Sequence, residues 1–205
     1  MAAKRKVREV TKVRRRDILT AAENLFSQKG FNGATTKELA AKAGVHEAVL
    51  YRHFGSKRGL YRAIIELKLA RNRPAALEQM EEAAKNRDDR AFFEALAIGL
   101  LKRFEEDPSI PRLILHSALD RHEPRRVAAE RQLRVEQPTL HYISKRIREG
   151  AFRKMDPHHA VYAFGAMLFG YIVRQQILGM SEHRKHNRRK IAKDFVTIFL
   201  DGMKK

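Results

Sequence analysis

Histidine is the residue type in this chain best suited to chemistry, and its spacing gives it none to perform. Nine histidines are present, and the pairs His116 with His122, His158 with His159 and His183 with His186 invite a metal ion. None has the H-E-x-x-H spacing that would put two imidazoles and a general base on one helix face. Cysteine is absent, which excludes disulfides and thiolate ligands. The phosphate-cradling G-x-x-x-x-G-K-S/T, the nucleophile turn G-x-S-x-G and the dinucleotide loop G-x-G-x-x-G are all missing. The expectation is therefore no catalytic residues, no metal and no cofactor, and a protein that is not an enzyme.

What remains is charge. The formal net charge is +19 over 205 residues, with an isoelectric point near 10.5. A balance this basic favours a polyanionic partner, most simply nucleic acid. Residues 1–60 hold fourteen Lys/Arg against five Asp/Glu, yet the rest of the chain is basic too, so charge alone does not locate a site. With 43% hydrophobic and 33% charged residues the chain reads as globular rather than disordered. No apolar run reaches the ~20 residues of a membrane span, and the N-terminus lacks a secretory apolar core. A cytoplasmic protein with no membrane partner is expected.

The elements that must position a DNA contact lie in residues 35–58, TTKELAAKAGVHEAVLYRHFGSKR. Thr35 and Glu38 have capping-box spacing at the start of a helix. Leu39, Ala40 and Ala43 form its apolar stripe, and Gly44 is the residue able to stop it with a positive φ. His46 stands at the cap position of a second helix, with Val45 placed to staple onto Leu50. Leu50 and Phe54 are one turn apart and face one core. Glu47, Ala48, Tyr51 and Arg52 fall on the opposite side. Two short helices about a glycine turn, with an outward face on the second, form a helix-turn-helix.

The run AAKAGVHEAVLYRHFGSKRGL, residues 40–60, resembles the DNA-binding signature of TetR-family transcriptional regulators. The preceding RRDILTAAENLFSQKGFNGATT fits that family's first helix and loop, so the likeness covers roughly residues 12–65. The resemblance implies a repressor that binds a palindromic operator as a homodimer and is released by a small-molecule effector. By the same resemblance the helix His46–Phe54 enters the major groove. Glu47, Ala48 and Arg52 then meet base edges, and Arg52 is able to reach guanine. Thr35, Thr36, Lys37, Tyr51, His53 and Lys57 meet phosphates. Val49 stands where the family often has a hydroxyl residue, which substitutes apolar contact with a thymine methyl for a phosphate contact. Gly59 stands where an acidic residue usually completes a capping box, and a looser first turn is expected there.

Read in order, the chain is expected to be all-α with about nine helices. Residues 1–11 form a flexible basic arm, 12–56 the helix-turn-helix domain and 57–205 a larger ligand-binding and dimerisation domain. The first helix spans about Lys12–Lys29, with Ile18, Ala22, Leu25 and Phe26 on one face. Ser56 caps the fourth helix, which puts Lys57 in a first turn where its charge suits a bound phosphate better than the helix dipole. That helix is expected to end near Arg73, with Pro74 interrupting or kinking the helical stretch beyond it, and Pro138 to kink a helix over Glu123–Glu149. Asp156 followed by Pro157 starts another helix. Its segment 160–173 is uncharged and apolar all round, so a second subunit is expected to cover part of it. Phe169 there, with Ile191, Phe195, Ile198 and Phe199 on the last helix, is assigned to a dimer interface. Phe92, Phe93, Leu96, Leu100, Tyr142, Phe164 and Leu168 are assigned to a small-molecule pocket. A sequence-indifferent, charge-driven DNA binder is the rival reading.

Overall fold

In a computed structural model of the chain, residues 2–70, 74–119, 123–180 and 187–204 are described. They form ten α-helices and no strand; the nearest thing to a sheet is one isolated bridge between Phe152 and Lys204. The helices are α1 (Ala2–Gly33), α2 (Thr36–Lys42), α3 (Glu47–Phe54), α4 (Lys57–Ala70), α5 (Pro74–Lys85), α6 (Asp89–Glu106), α7 (Ser109–Leu119), α8 (Glu123–Arg148), α9 (Pro157–Ile172) and α10 (Arg188–Met203). A π-helical turn, Val173–Ile177, comes directly after α9. Among the described residues no helix is long and apolar enough to cross a membrane.

The chain packs as two units. The head is Met1–Arg71 with Arg112–Arg131, and the body is Asn72–Pro111 with Gln132–Lys205. This division differs from the expected boundary at residue 57, because α4 is head structure. Its Leu60, Tyr61, Ile64 and Ile65 are buried in one core with Ile18, Ala22 and Phe26 of α1, Leu39 of α2 and Leu50 of α3. Leu113 of α7 joins the same core and its carbonyl accepts a hydrogen bond from the Tyr61 hydroxyl at 3.3 Å. Phe31 folds back after the positive-φ break at Gly30, stacking on Phe26 and meeting Tyr61 edge-on.

One charged pair is built into this apolar head. Lys68 of α4 is 6% exposed and its ammonium lies 2.5 Å from Glu23 of α1. Each ion offsets part of the other's desolvation cost.

One boundary expectation is corrected. Residues 2–11, expected as a flexible arm, continue α1 without a break. They contain neither proline nor glycine, so nothing in them stops a helix already nucleated downstream. Pro74 interrupts the helical stretch as expected and begins its second piece, α5, at a first-turn position where its missing N–H costs nothing. The expected end of the preceding helix near Arg73 falls outside the described residues. Pro138 is carried inside α8.

Candidate nucleic-acid interface

The turn that presents α3 is fixed by local bonds. The Thr35 hydroxyl accepts from the Glu38 N–H at 3.2 Å while the Glu38 carboxylate takes the Thr35 N–H at 2.9 Å, closing the capping box. Lys29 donates to the other carboxylate oxygen at 2.6 Å. That ammonium, and then the Thr35 N–H and hydroxyl, hold the Glu38 carboxyl well below the usual range, at about 2. At the far end of α2, Gly44 takes φ 63° and the Val45 N–H reaches back to the Ala40 carbonyl at 3.0 Å. This six-residue closure is a Schellman turn, and a Cβ at residue 44 would strain it.

His46 occupies the cap position of α3, but its side chain makes no capping bond. The first turn of α3 is therefore closed by backbone alone, with the Val49 N–H on the His46 carbonyl at 2.9 Å. Leu50 is buried and Phe54 packs against the head core, as their spacing required. Ala48, Tyr51 and Arg52 then form one exposed strip at i, i+3 and i+4, with Glu47 half-buried beside it. Tyr51 is 47% exposed, unusual for so large an apolar ring. Thr35 and Lys37 are exposed at the start of α2, Thr36 is half-buried there, and His46 is exposed at the start of α3. Val49 is half-buried against the head core, which leaves only part of its apolar surface for a thymine methyl. His53 is half-buried with its ring 6.1 Å from Phe54, and the Lys57 ammonium sits 4.5 Å from the Phe31 ring centroid. Arg15, which the sequence did not single out, lies 5.3 Å over the Phe54 ring and ties α1 to the end of α3.

The α3–α4 junction corrects the expectation of a loose first turn. Ser56 accepts the Gly59 N–H at 2.9 Å, so the cap is made without an acidic residue. The Phe54 carbonyl also comes so close to Gly59 that any side chain there would overlap its oxygen. The turn is tight because residue 59 has no Cβ.

The body carries the two other expected sites, and each is altered. Phe92 stacks on Tyr142 at 3.8 Å, and Phe93 meets Phe164 and Phe199 at 5.0 and 4.9 Å. Leu168, one turn beyond Phe164 on α9, is buried as well. The Tyr142 hydroxyl donates to Asp89 at 2.7 Å, and the same carboxylate takes two hydrogen bonds from Arg146 at 2.7 and 3.0 Å. Burial and the Asp89 charge raise the Tyr142 pKa. These aromatic side chains pack against one another in the core of the body. Leu96 and Leu100 instead line a cavity of about 30 Å³ between α5 and α6, with Ala76, Leu77, Met80, Gly99 and Arg103. That is room for about one water molecule.

On α9 and α10 the two faces separate cleanly. Ala160, Val161, Phe164, Leu168 and Ile172 are buried, as are Ala192, Val196, Leu200 and Met203. Phe199 belongs with this inner set, 7% exposed against Phe93 and Phe164, which corrects its assignment to the interface. Its neighbour Ile198 is 62% exposed, Tyr162 is 50% exposed, and Ala163, Ala166 and Gly170 are also open. Phe169, Ile191 and Phe195 are half-buried, with Phe195 edge-on to Tyr171 at 5.8 Å. Ala163, Ala166 and Gly170 were not singled out by the sequence, where an uncharged helix shows no direction.

Residues 18–64 match the family model described as bacterial regulatory proteins, tetR family. The HTH-type transcriptional regulator YvkB of Bacillus subtilis (strain 168) is 28% identical over 79% of this chain and 82% of its own length. The nucleoid occlusion factor SlmA of Vibrio cholerae serotype O1 is 36% identical over 116 residues. Here the chain spans only about half of that relative, 53% of its length. Among solved structures, the transcriptional regulator FadR of Bacillus subtilis in complex with stearoyl-CoA superposes with a TM-score of 0.73, covering 91% of this chain and 97% of that one at 15% identity. This last likeness is one of fold.

Proposed function

We propose that this chain, a transcriptional regulator of the TetR family, represses by binding a palindromic operator as a homodimer and leaves it when a small molecule enters the body. The observation that carries the reading is α3, whose buried Leu50 anchors it while Ala48, Tyr51 and Arg52 stand exposed in a row. An eight-residue helix held by one buried side fits a major groove with its other side. Arg52 reads guanine there, Ala48 and Glu47 border the bases, and Thr35, Thr36, Lys37, Tyr51, His53 and Lys57 take phosphates. Lys57 reaches a phosphate by leaving the Phe31 ring, an exchange of one weak cation–π contact for a charge-assisted bond.

Two such heads must stand about one helical turn of DNA apart, ~34–36 Å, to use successive major grooves. The open apolar face of Tyr162, Phe169, Phe195 and Ile198 supports a second copy as the element that sets this spacing. The effector site belongs to the body. The α5–α6 cavity is far below the ~300–1,000 Å³ of small-molecule pockets, so a ligand entering there would have to part these helices. A ligand that prefers the parted body then weakens DNA binding by the same factor by which DNA weakens ligand binding.

Footprinting of the purified protein on genomic fragments tests the reading. Symmetric protection of two half-sites is expected. Uniform, salt-sensitive coverage without symmetry would favour the charge-driven binder instead, a reading that the net charge of +19 and the half-length likeness to a nucleoid occlusion factor also suit.

A further inference from the structure

We propose that Gly59 is a positioning residue for DNA recognition: the missing Cβ lets the end of α3 seat directly on the first turn of α4 and so sets the tilt of the reading helix. The proposal rests on α3 as the reading element.

The contact is backbone on backbone. A Cβ built at Gly59 overlaps the Phe54 carbonyl oxygen and comes 3.1 Å from its carbonyl carbon. Flexible side chains yield to such a clash; a helix-terminal carbonyl does not. Phe54 cannot turn away alone, because its ring packs against the head core and the next N–H, that of Gly55, is bonded to the Tyr51 carbonyl at 2.8 Å. Gly59 cannot retreat either. Its N–H is held by the Ser56 hydroxyl at 2.9 Å, the Leu60 N–H bonds the Ser56 carbonyl at 3.0 Å, and Leu60 and Tyr61 are each 1% exposed. With both sides fixed, an added methyl must be absorbed by rotating α3 against α4. That rotation moves Ala48, Tyr51 and Arg52 together while Lys57, on α4, stays behind. Contacts to base edges and to phosphate then stop fitting one DNA geometry at once.

The distinction from a merely structural glycine is measurable as a ratio. Gly59→Ala should lower affinity for the operator roughly tenfold or more, the loss of about one good base contact, and leave affinity for random DNA within about twofold. Ser56→Ala removes the cap without adding atoms; it should lower thermal stability and leave the operator-to-random ratio unchanged. A Gly59→Ala protein that keeps both its fold and the wild-type ratio overturns the proposal. If that variant does not fold, NMR on the wild type decides: one Gly59 Hα, aimed at the Phe54 carbonyl, should resonate well downfield of its twin. Two equivalent α protons overturn the contact and the proposal with it. A wild-type protein without sequence preference would instead sink the reading of α3, and amide shifts of Tyr51–Phe54 in Gly59→Ala would still report whether the helix had moved.

Discussion

Among the described residues the head and the body each present an open face, and the two faces are made of opposite materials. On α3 the open residues are an arginine, a tyrosine and an alanine beside exposed lysine and histidine; on α9 and α10 they are Tyr162, Ile198 and small apolar residues. Each face is backed by the same kind of buried aliphatic and aromatic row, so burial within the protomer does not distinguish them. The difference lies in what water leaves unsatisfied. Cations and hydroxyls are content in water and gain from phosphates through counterion release, whereas an open isoleucine gains only when another surface covers it. On the proposed reading the first face meets nucleic acid and the second another copy of the chain.

The largest effect should come from charging the apolar face. Ile198→Asp alters a side chain already 62% exposed, so the folded protomer should be little affected. If the face is covered in a dimer, an unpaired buried charge costs about 3–5 kcal/mol, and sedimentation should find monomers with operator binding lost. A variant that remains dimeric moves the interface elsewhere. The polar face should respond less and more selectively. Arg52→Ala should relax base preference at one position per half-site by ~1–3 kcal/mol in competition binding. Equal losses on operator and random DNA would make Arg52 a backbone contact.

A smaller effect is expected at Lys57. Its replacement by alanine should weaken all DNA alike and reduce the slope of log affinity against log salt by about one. An unchanged slope would leave the ammonium on Phe31 in the complex as well. The smallest is the pH response of the capping box that carries Thr35 and Lys37. Glu38 has a folded pKa of about 2, below its ordinary 4.5, so the folded state favours the ionised form. Its contribution is present above about 4.5 and is lost as pH falls from there toward 2. Acid unfolding of Glu38→Gln should accordingly be flatter over that window than that of the wild type. Identical profiles would remove Glu38 from the linkage.

The elements that were legible in the sequence are those whose signals are local. Thr35 with Glu38, Gly44 and Asp156 with Pro157 specify helix ends through bonds spanning a few residues, and each is found in place. The outward row of α3 came from Leu50 and Phe54 being one turn apart. What failed needed a partner distant in the chain. Tyr142 was assigned to a pocket on the number of body aromatics and the family resemblance, and nothing local announces that its hydroxyl is committed to Asp89, fifty-three residues away. Ile198 and Phe199 are adjacent on a helix and lie ~100° apart, so a broad apolar arc holds both and does not say which meets its own core. Gly59 was read from its own turn as a weak cap, and the reason for it lies five residues back, in a carbonyl of the preceding helix.

The Glu23–Lys68 pair bears on how this sequence can drift. Two opposite charges set largely out of water between α1 and α4 depend in part on each other, so a lineage that loses one should pass through a weakened head. Exchange for an apolar pair is open thermodynamically but requires two changes, each harmful alone. Such a position behaves as a ratchet: variation should pool around it, on the exposed faces of the same helices, while the two codons wait for each other. Libraries that randomise Glu23 and Lys68 jointly should recover apolar pairs that libraries of single changes never reach.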